Sequence, residues 1–502
     1  MDSLTDGPPG PAIGPAGSAQ DGHAPAPVPD LDGDAFRRWG GEVVERIAAM
    51  LEHPDALPVL PRIQPGDLLA AIPAAPPARG EPFDRILADY DRLIPPATTH
   101  WNHPGFLAYF AITGSAPGIL AEALAAALNV NAMLWRTGPA QTELEQAMMS
   151  WVLQLTGLPE TFDGTINDTA STSTLHALAA AREAWPELEV RERGLAGRTD
   201  VPPLRVYCSA EAHSSVDKAC VTLGLGLGSV RRVSTDDEFR MDVGGLEAAI
   251  AADREAGVLP IAVVATVGTT ATTAVDPVPA IVTVCEREGL WLHVDAAYAG
   301  SAAAIPEMRW VLDGCERADS IVMNPHKWLF VPIDCSILYT RRPDVLRRAF
   351  SVVPAYLTTP EDARVKNLMD HGVALGRRFR ALKLWFVLRH FGAEGIAANL
   401  REHIRLARLF ASWVDADPAF ERLAPVPFSV VNFRHRGSGS DDESTLDAAN
   451  AALLERVNAS GEVFLSHTRV RGRFALHLAV GNLRTEERHI RRAWEILRAA
   501  AE

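Results

Sequence analysis

The stretch SIVMNPHKWLF, residues 320–330, is an apolar run that is interrupted by Asn-Pro-His-Lys-Trp and then turns apolar again. Its first part, residues 320–324, predicts a short buried strand, and the interruption follows where that strand ends. An ammonium group in such surroundings is costly unless it is paired, neutralised or used covalently. Lys327 therefore either lays its stem on Trp328 with its amine in water, or has a chemical role. The rest of the sequence decides between these interpretations.

Three further apolar runs precede this one and alternate with amphipathic helical patterns. Strands are predicted at residues 204–209, 261–266 and 290–295, and helices at residues 243–255 and 278–288. Strands that are apolar throughout and separated by helices form parallel sheets covered on both faces. Polar residues that follow the carboxyl ends of such strands meet at one edge of the sheet. We therefore expect Lys327, Asp295 and His213 to lie close together at that edge.

Composition and charge narrow the classes of function. The 502 residues are 47% hydrophobic and carry 48 Lys and Arg against 63 Asp and Glu, a net charge of −15. Binding nucleic acid requires a concentrated basic face, so we expect no nucleic-acid partner. The five cysteines show no CxxC or metal-ligand spacing, and no apolar run reaches the roughly 20 residues that span a bilayer. Because a basic-then-apolar N-terminal segment is also lacking, these features predict a cytoplasmic protein without a membrane partner.

The chain divides into four parts by composition and pattern. Residues 1–30 are rich in Pro, Gly and Ala, which predicts a disordered tail. Residues 31–115 predict an N-terminal helical extension, with Asp34 as a helix N-cap, that is too thin to form a core of its own. Residues 116–388 contain the alternating strands and helices of a large domain. Residues 389–502 predict a small α+β domain, so the whole chain is expected to be an α/β fold with additions at both ends.

The three groups expected at the sheet edge match the needs of one cofactor. A lysine forms Schiff bases with carbonyl compounds, an aspartate can keep a pyridinium nitrogen protonated, and a histidine can lie flat on an aromatic ring. Those are requirements of pyridoxal 5'-phosphate. The hydroxyl-rich stretch DTASTST, residues 168–174, opens a predicted helix and offers N–H and hydroxyl donors for a phosphate. Taken singly, His213 could be an ordinary strand-end histidine, Asp295 a helix cap, and the hydroxyl run a plain N-cap.

Several long motifs occur in the order typical of one enzyme family. They are THWNHPGFLAYF at 99–110, AHSSVDKA at 212–219, HVDAAYAGSA at 293–302, NPHKW at 324–328 and GRRFRALKLWF at 376–386. With these motifs the chain resembles the pyridoxal-phosphate-dependent decarboxylases that include aromatic L-amino-acid decarboxylase. The resemblance runs from about residue 34 to the C-terminus. It implies a fold-type-I enzyme with a mostly parallel central sheet flanked by helices, and an obligate homodimer with shared active sites.

The resemblance also implies a role for each matching residue. Lys327 would carry the cofactor as an internal aldimine, Asp295 would pair with its ring nitrogen, and His213 would stack on its ring near the substrate carboxylate. Tyr356, in PAYL, would return a proton to the substrate carbon once the quinonoid intermediate has formed with loss of carbon dioxide. The remaining cofactor contacts would come from Ala170, Ser171, Thr270, Ala297, Asn324, His326 and Gly376.

The substrate pocket is implied in the same way. Three aromatic residues match positions that wall the ring of an aromatic substrate: Trp101, Tyr109 and Phe110. Three other pocket positions depart from the residues of the animal enzymes: Ile112, Asn131 and Met133. Gly376 would leave room for a bulky ring, whereas His371 replaces a usual tryptophan. These departures leave open which amino acid is the substrate.

The expected reaction is decarboxylation of an aromatic L-amino acid to its amine and carbon dioxide. Relatives that form aldehydes by oxidative decarboxylation often lack the loop tyrosine or the stacking histidine. This chain keeps Tyr356 and His213, so amine release is favoured. The alternatives are an aromatic aldehyde synthase, a decarboxylase of a non-aromatic amino acid, and an inactive cofactor-binding partner protein. No metal is expected, because the sequence near His100 and His103 does not suggest a carboxylate or cysteine that would complete a metal-ligand set.

Overall fold

A computed structural model describes residues 28–110, 112–352, 357–437 and 442–502. The chain forms two units. The first contains the residues up to Ala49 together with Gln64–Pro95, and the second contains Met50–Ile63 together with Pro96–Glu502. The domain boundaries expected at residues 115 and 388 stay predictions.

The first unit is built from three helices. They are α1 (Gly33–Glu52), α2 (Asp67–Ala71) and α3 (Phe83–Leu93). Arg46 of α1 donates to Asp91 of α3 at 2.9 Å. Asp34, expected as the N-cap of the first helix, lies inside α1, and the carboxylate of Asp32 accepts the N–H groups of the first turn instead. The cap therefore lies two residues earlier than the sequence pattern indicated.

A seven-stranded sheet organises the second unit. Its strands are β1 (Asp163–Asn167), β2 (Leu204–Ser209), β3 (Val230–Val233), β4 (Leu259–Thr266), β5 (Trp291–Asp295), β6 (Ser320–Met323) and β7 (Ser336–Thr340). They lie in the order β1-β7-β6-β5-β4-β2-β3. All neighbours are parallel except β7, which is antiparallel to both β1 and β6. The predicted mostly parallel sheet is therefore confirmed, and β1, β3 and β7 are additions that the sequence pattern did not predict.

Helices cover this sheet and extend the chain beyond it. Those that accompany the large sheet are α4 (Ala116–Leu128), α5 (Pro139–Thr156), α6 (Ala170–Glu183), α7 (Val190–Arg193), α8 (Ser215–Thr222), α9 (Val243–Glu255), α10 (Val278–Glu288), α11 (Pro325–Trp328) and α12 (Pro343–Phe350). The long α13 (Arg380–Ala416) follows and is kinked at Gly392, where φ is 62°. The predicted bounds of α9 and α10 are confirmed.

The C-terminal part carries a second, smaller sheet. Its strands are β8 (Phe420–Arg422), β9 (Val430–His435), β10 (Ser466–Val470) and β11 (Arg473–Ala479), all antiparallel, in the order β10-β11-β9-β8. Helices α14 (Glu443–Ala459) and α15 (Glu487–Ala501) complete it. Apolar side chains from both sheet and helices, including Phe410, Phe433 and Leu476, form its core. The expected small α+β part is thus present.

The parallel strands bring the predicted site residues to one edge. Thr266 at the end of β4 pairs in register with Asp295 at the end of β5, which pairs with Val322 of β6. The segments that follow these three strands therefore leave the sheet side by side. Among the helices of the described residues, none is long and apolar enough to cross a membrane.

Candidate active site

Three ionisable side chains meet at the carboxyl edge of the sheet. Lys327 is on α11, directly after β6, Asp295 is the last residue of β5, and His213 lies between β2 and α8. Asp295 pairs in register with Val322 of β6, so the segment that carries Lys327 leaves the sheet beside Asp295. His213 follows β2, which is separated from β5 by β4 alone, so its segment leaves the same edge of the sheet two strands away. The structure therefore brings together the three residues that the strand ends predicted.

Lys327 is partly buried and faces an aromatic ring. Its Nζ lies 4.9 Å from the ring centroid of Phe110. Burial lowers the pKa of Lys327, while the charge of Asp295 opposes that shift. A lowered pKa increases the fraction of neutral amine, which is the form that attacks a carbonyl. The lysine thus has the environment of a Schiff-base residue and not that of a solvated surface group.

Asp295 is held by the turn that follows β5. Its side chain is buried, and Oδ1 accepts the N–H of Ala297 at 3.1 Å. The carbonyl of Ala297 in turn accepts the N–H of Asn324, also at 3.1 Å. The end of β5 is thereby tied to the residue that follows β6. This bond fixes the carboxylate relative to the turn that carries Lys327.

His213 is exposed, and its ring orientation is set by one hydrogen bond. Nδ1 accepts the N–H of Ser215, at the start of α8, at 3.1 Å. Partial loss of hydration lowers the pKa of His213, with Lys327 acting in the same direction and Asp295 against it. Because Nδ1 is an acceptor, the neutral ring carries its proton on Nε2. His213 thus presents a neutral imidazole with one N–H donor.

A potential anion site lies at the start of α6. Thr169 occupies the N-cap position, yet its side chain does not cap the helix, so the N–H groups of Ala170 and Ser171 have no side-chain partner there. Ala170 packs against Ala297 and Val322, which places the helix start beside the turn that holds Asp295. Unpaired N–H groups at a helix N-terminus attract phosphate.

An aromatic stack supports the lysine. The ring of Tyr298 lies parallel to Phe110 at 4.0 Å and to Trp328 at 4.7 Å. Its hydroxyl is hydrogen-bonded to Ser429 Oγ at 2.7 Å. Tyr298 therefore joins the ring that Lys327 faces to the residue next to Lys327. Sequence reasoning did not select Tyr298, although it lies inside the HVDAAYAGSA motif.

The conserved domain described as "Pyridoxal-dependent decarboxylase conserved domain" matches residues 65–436. The chain belongs to this decarboxylase family. The predicted family is therefore confirmed, and with it the expectation of a pyridoxal-phosphate-dependent amino acid decarboxylase.

Similar proteins cover nearly the whole chain. An aromatic-L-amino-acid decarboxylase of Sus scrofa is 39% identical over 482 residues, 94% of this chain and 97% of that protein. A phenylacetaldehyde synthase of Arabidopsis thaliana is 38% identical over 481 residues, 94% of this chain and 96% of that protein. Among solved structures, Oryza sativa TDC with PLP and tryptamine is 37% identical with a TM-score of 0.90 and covers 95% of this chain and 99% of that one.

The residues of this decarboxylase fit pyridoxal 5'-phosphate. The uncapped start of α6 offers N–H donors to the phosphate, and the buried side-chain oxygen of Asn324 has no hydrogen-bond partner among the described residues. Lys327 would hold the aldehyde carbon, Asp295 the ring nitrogen, and His213 one ring face. When bound, the cofactor supplies an electron sink for the bond to the departing carboxylate. The individual contacts stay predictions.

Two other predicted cofactor residues, His326 and Thr270, lie in different surroundings. His326 is buried, and its Nδ1 accepts the N–H of Cys335 at 2.8 Å, so it supports the turn around the lysine. Thr270 is exposed, whereas Thr269 before it is buried and bonds within its own loop, to Thr272 at 3.1 Å. Tyr356 lies outside the described residues.

The predicted substrate residues form two groups. In the first, Trp101 and Tyr109 stack at 5.9 Å, and Phe110 follows them beside the lysine. Ile112 is partly buried. In the second, Asn131 Oδ1 accepts the N–H of Arg377 at 2.9 Å, and Asn131 Nδ2 lies 3.7 Å from Met133 Sδ.

Gly376 belongs to the second group. A Cβ at this position would lie 3.7 Å from Asn131 Nδ2, an ordinary contact, so Asn131 borders the space that the glycine leaves. Roles of these residues in substrate binding stay predictions.

Buried neutral histidines predict acid sensitivity. Loss of hydration lowers the pKa to about 4 in His103, His176, His293, His326, His403 and His477. In the unfolded chain such groups titrate at about 6.5, so below that pH the unfolded state binds more protons. We expect the free energy of unfolding to fall as the pH drops below about 6.5, with each histidine contributing at most about 1.4 kcal/mol per pH unit. Urea unfolding between pH about 7.5 and 5 measures this, and an unchanged midpoint over that range would contradict it.

Proposed function

We propose that the protein removes the carboxyl group of an aromatic L-amino acid and releases the corresponding amine and carbon dioxide. One observation carries the proposal: the Lys327 ammonium faces Phe110, beside Asp295 and His213. An aromatic wall next to the Schiff-base lysine favours an aromatic side chain in the substrate. The pig aromatic-L-amino-acid decarboxylase and the rice structure with tryptamine support this assignment.

Each residue has a distinct task in this proposal. Lys327, with its lowered pKa, supplies the neutral amine that exchanges with the amine of the substrate. Asp295 offers a carboxylate to the ring N–H of the cofactor, and the small residue Ala297 lies beside that carboxylate. His213 offers an Nε2–H donor to the substrate carboxylate before that group departs. Phe110 excludes water from the face on which the lysine acts.

A panel of L-amino acids tests the proposed substrate class. The cofactor-loaded protein is incubated with Trp, Tyr, Phe, Glu and His, and amine and carbon dioxide are quantified together. We expect equal amounts of both products, with kcat/KM at least about tenfold higher for an aromatic substrate than for Glu. Preference for Glu would contradict the aromatic assignment. Bound cofactor without turnover of any of these amino acids would favour an inactive cofactor-binding partner protein.

An aldehyde synthase is the second candidate, because the Arabidopsis phenylacetaldehyde synthase is 38% identical. The two reactions differ in the fate of the electrons left after carbon dioxide departs. Protonation of the substrate carbon gives the amine. Reaction with one O2 and one water instead gives aldehyde, ammonia and hydrogen peroxide. We propose that the phenol of Tyr356 supplies the proton and thereby selects the amine.

Tyr356→Phe is therefore expected to divert the reaction. Without the hydroxyl, proton return slows while carboxyl loss continues, so oxygen has more time to react. We expect aldehyde and peroxide to become the main products, with O2 uptake matching peroxide release. Mass spectrometry and an oxygen electrode provide the measurements. Amine formation at the wild-type rate without peroxide would show that Tyr356 is not the proton donor.

We also propose that the protein works as a homodimer. Helix α4 packs on α13 through its buried side, whereas Leu120, Leu124 and Leu128 are 58%, 52% and 56% exposed. Residues spaced by four lie on one helix face, so these leucines form an apolar stripe. An exposed stripe of this kind marks an interaction surface. We assign a second copy of this chain as its occupant, which would let each subunit complete the other's site.

Leu124→Asp tests the homodimer. A carboxylate in the middle of a buried leucine stripe is costly, so we expect a monomer in sedimentation velocity and loss of most activity. Leu227→Asp is the matched control, because Leu227 is 62% exposed and belongs to the short turn Leu227–Ser229 and not to α4. The control is expected to remain a dimer with normal activity. A fully active wild-type monomer would contradict the proposal.

We further place the protein in the cytoplasm. All five cysteines are free and buried, which suits a reducing compartment. Localisation of a fluorescent fusion tests this placement.

A further inference from the structure

The indole of Trp328 is held by rings from three other parts of the chain. Tyr298, just after β5, stacks on it at 4.7 Å. Phe428 meets it edge-on at 6.3 Å. His403, on α13, lies nearly parallel to it at 6.5 Å and accepts a hydrogen bond from its Nε1–H at 3.0 Å. The indole is therefore fixed both in position and in rotation.

This hydrogen bond defines the state of His403. An indole nitrogen only donates, so Nδ1 of His403 must be an unprotonated acceptor. His403 is also hydrogen-bonded to the backbone of Asn482. Burial lowers the pKa of His403 to about 4, so the imidazole stays neutral and keeps its acceptor at neutral pH.

Trp328 shares the four-residue helix α11 with Lys327. A single helical turn has little stability of its own, so its orientation depends on what its side chains contact. The ammonium of Lys327 faces Phe110, and Phe110 rests on the same Tyr298 that stacks on Trp328. Movement of the indole would therefore move the lysine relative to the ring that it faces. Misplacement of a reacting group by about 1 Å costs about a hundredfold in rate.

We propose that His403 is a positioning residue for Lys327. By accepting the indole N–H of Trp328, it holds α11 in the orientation that directs the lysine toward the cofactor. His403 lies outside the motifs that carry the family resemblance, and it acts only through Trp328. The inference rests on the proposed function, because Lys327 must be the residue that carries the cofactor.

Two substitutions of His403 separate the effect of its hydrogen-bond acceptor from the effect of its imidazole ring. His403→Leu deletes the acceptor, whereas His403→Asn keeps an amide oxygen that can accept the indole N–H. Both variants are measured as holoenzymes, first by turnover and then by circular dichroism of the bound cofactor at about 420 nm. The dichroism band reports the orientation of the cofactor and does not depend on activity. We expect His403→Leu to lose about tenfold or more in kcat with KM nearly unchanged, and to lose most of the dichroism band. His403→Asn should restore both to within about threefold of wild type.

Tyr207→Phe is the matched control for loss of a buried hydrogen bond. It removes the 2.8 Å bond between the Tyr207 hydroxyl and Asp253, which joins β2 to α9. We expect a lower unfolding temperature with normal kcat and a normal dichroism band. If His403→Leu does not fold, His403→Phe replaces it with the same expectation.

Two results would overturn the positioning role. One is a leucine or phenylalanine variant that keeps the dichroism band and kcat. The other is a folded asparagine variant that restores neither measurement. Borohydride trapping followed by peptide mass spectrometry tests the proposed function separately, since a label on another lysine would overturn the site whatever the His403 variants do.

Discussion

Lys327→Ala is expected to abolish turnover and leave the fold intact. The lysine can form a Schiff base, and it stands on a short helix at the sheet edge where its ammonium faces Phe110. Alanine removes that amine without emptying a core position. We expect kcat to fall at least about a thousandfold, because alanine cannot form the covalent bond to the cofactor. The thermal unfolding temperature should change little.

Borohydride trapping identifies the lysine directly. Wild-type holoenzyme should absorb at about 420 nm, lose that band on reduction, and carry the cofactor on the peptide that contains Lys327. Lys366→Ala is the matched control, because Lys366 is the lysine that donates to Asp163 at 2.6 Å. That control should lose stability and keep the label on Lys327. A reduced cofactor found on Lys366 or Lys383 would show that the site is assigned to the wrong residue.

Asp295→Asn is expected to have the second largest effect. The amide has the shape of the carboxylate and can still accept the N–H of Ala297, so the turn after β5 should persist. It lacks the negative charge that holds a proton on a pyridine nitrogen, and an unprotonated ring is a poor electron sink. We expect kcat to fall about a hundredfold to a thousandfold while the cofactor stays bound.

Asp276→Asn provides the comparison for a buried carboxyl. Asp276 is buried near β4, where it accepts the N–H groups of Thr266 and Met241, and burial raises its pKa to about 6. Its substitution should change stability and leave kcat near wild type. Similar losses of kcat in Asp295→Asn and Asp276→Asn, with equal losses of stability, would assign Asp295 a structural role only.

The strands that carry the site were predictable because each is a short apolar run followed by polar residues. Observed bounds of β2, β4, β5 and β6 lie within two residues of the predicted ones. Strands β1, β3 and β7 escaped prediction. The only strand that pairs with β1 among the described residues is β7, which is far away in sequence. Pairing of that kind depends on the folded sheet and not on local periodicity.

The site likewise contains features that a local sequence pattern predicts and features that depend on long-range packing. Strand ends predicted that Lys327, Asp295 and His213 would meet, since the geometry of a parallel sheet is general. The contact of His403 with Trp328 was not predictable, because it depends on how α13 packs on the sheet. In the TVGTT segment, sequence alone could not tell the exposed Thr270 from the buried Thr269.

The position of β7 has a consequence for synthesis of the protein. Because β7 is antiparallel to both of its neighbours, β1 runs in the same direction as β6. Helix α6, which follows β1, therefore starts at the same edge of the sheet as Lys327. Asp163 pairs with Thr340, so β1 has no strand partner until the ribosome has made the lysine turn and the strand after it. Pairing between such distant segments is slow and leaves an open edge in the meantime. We therefore expect the start of α6 and the turn that carries Lys327 to reach their final positions together, after residue 340 has been synthesised.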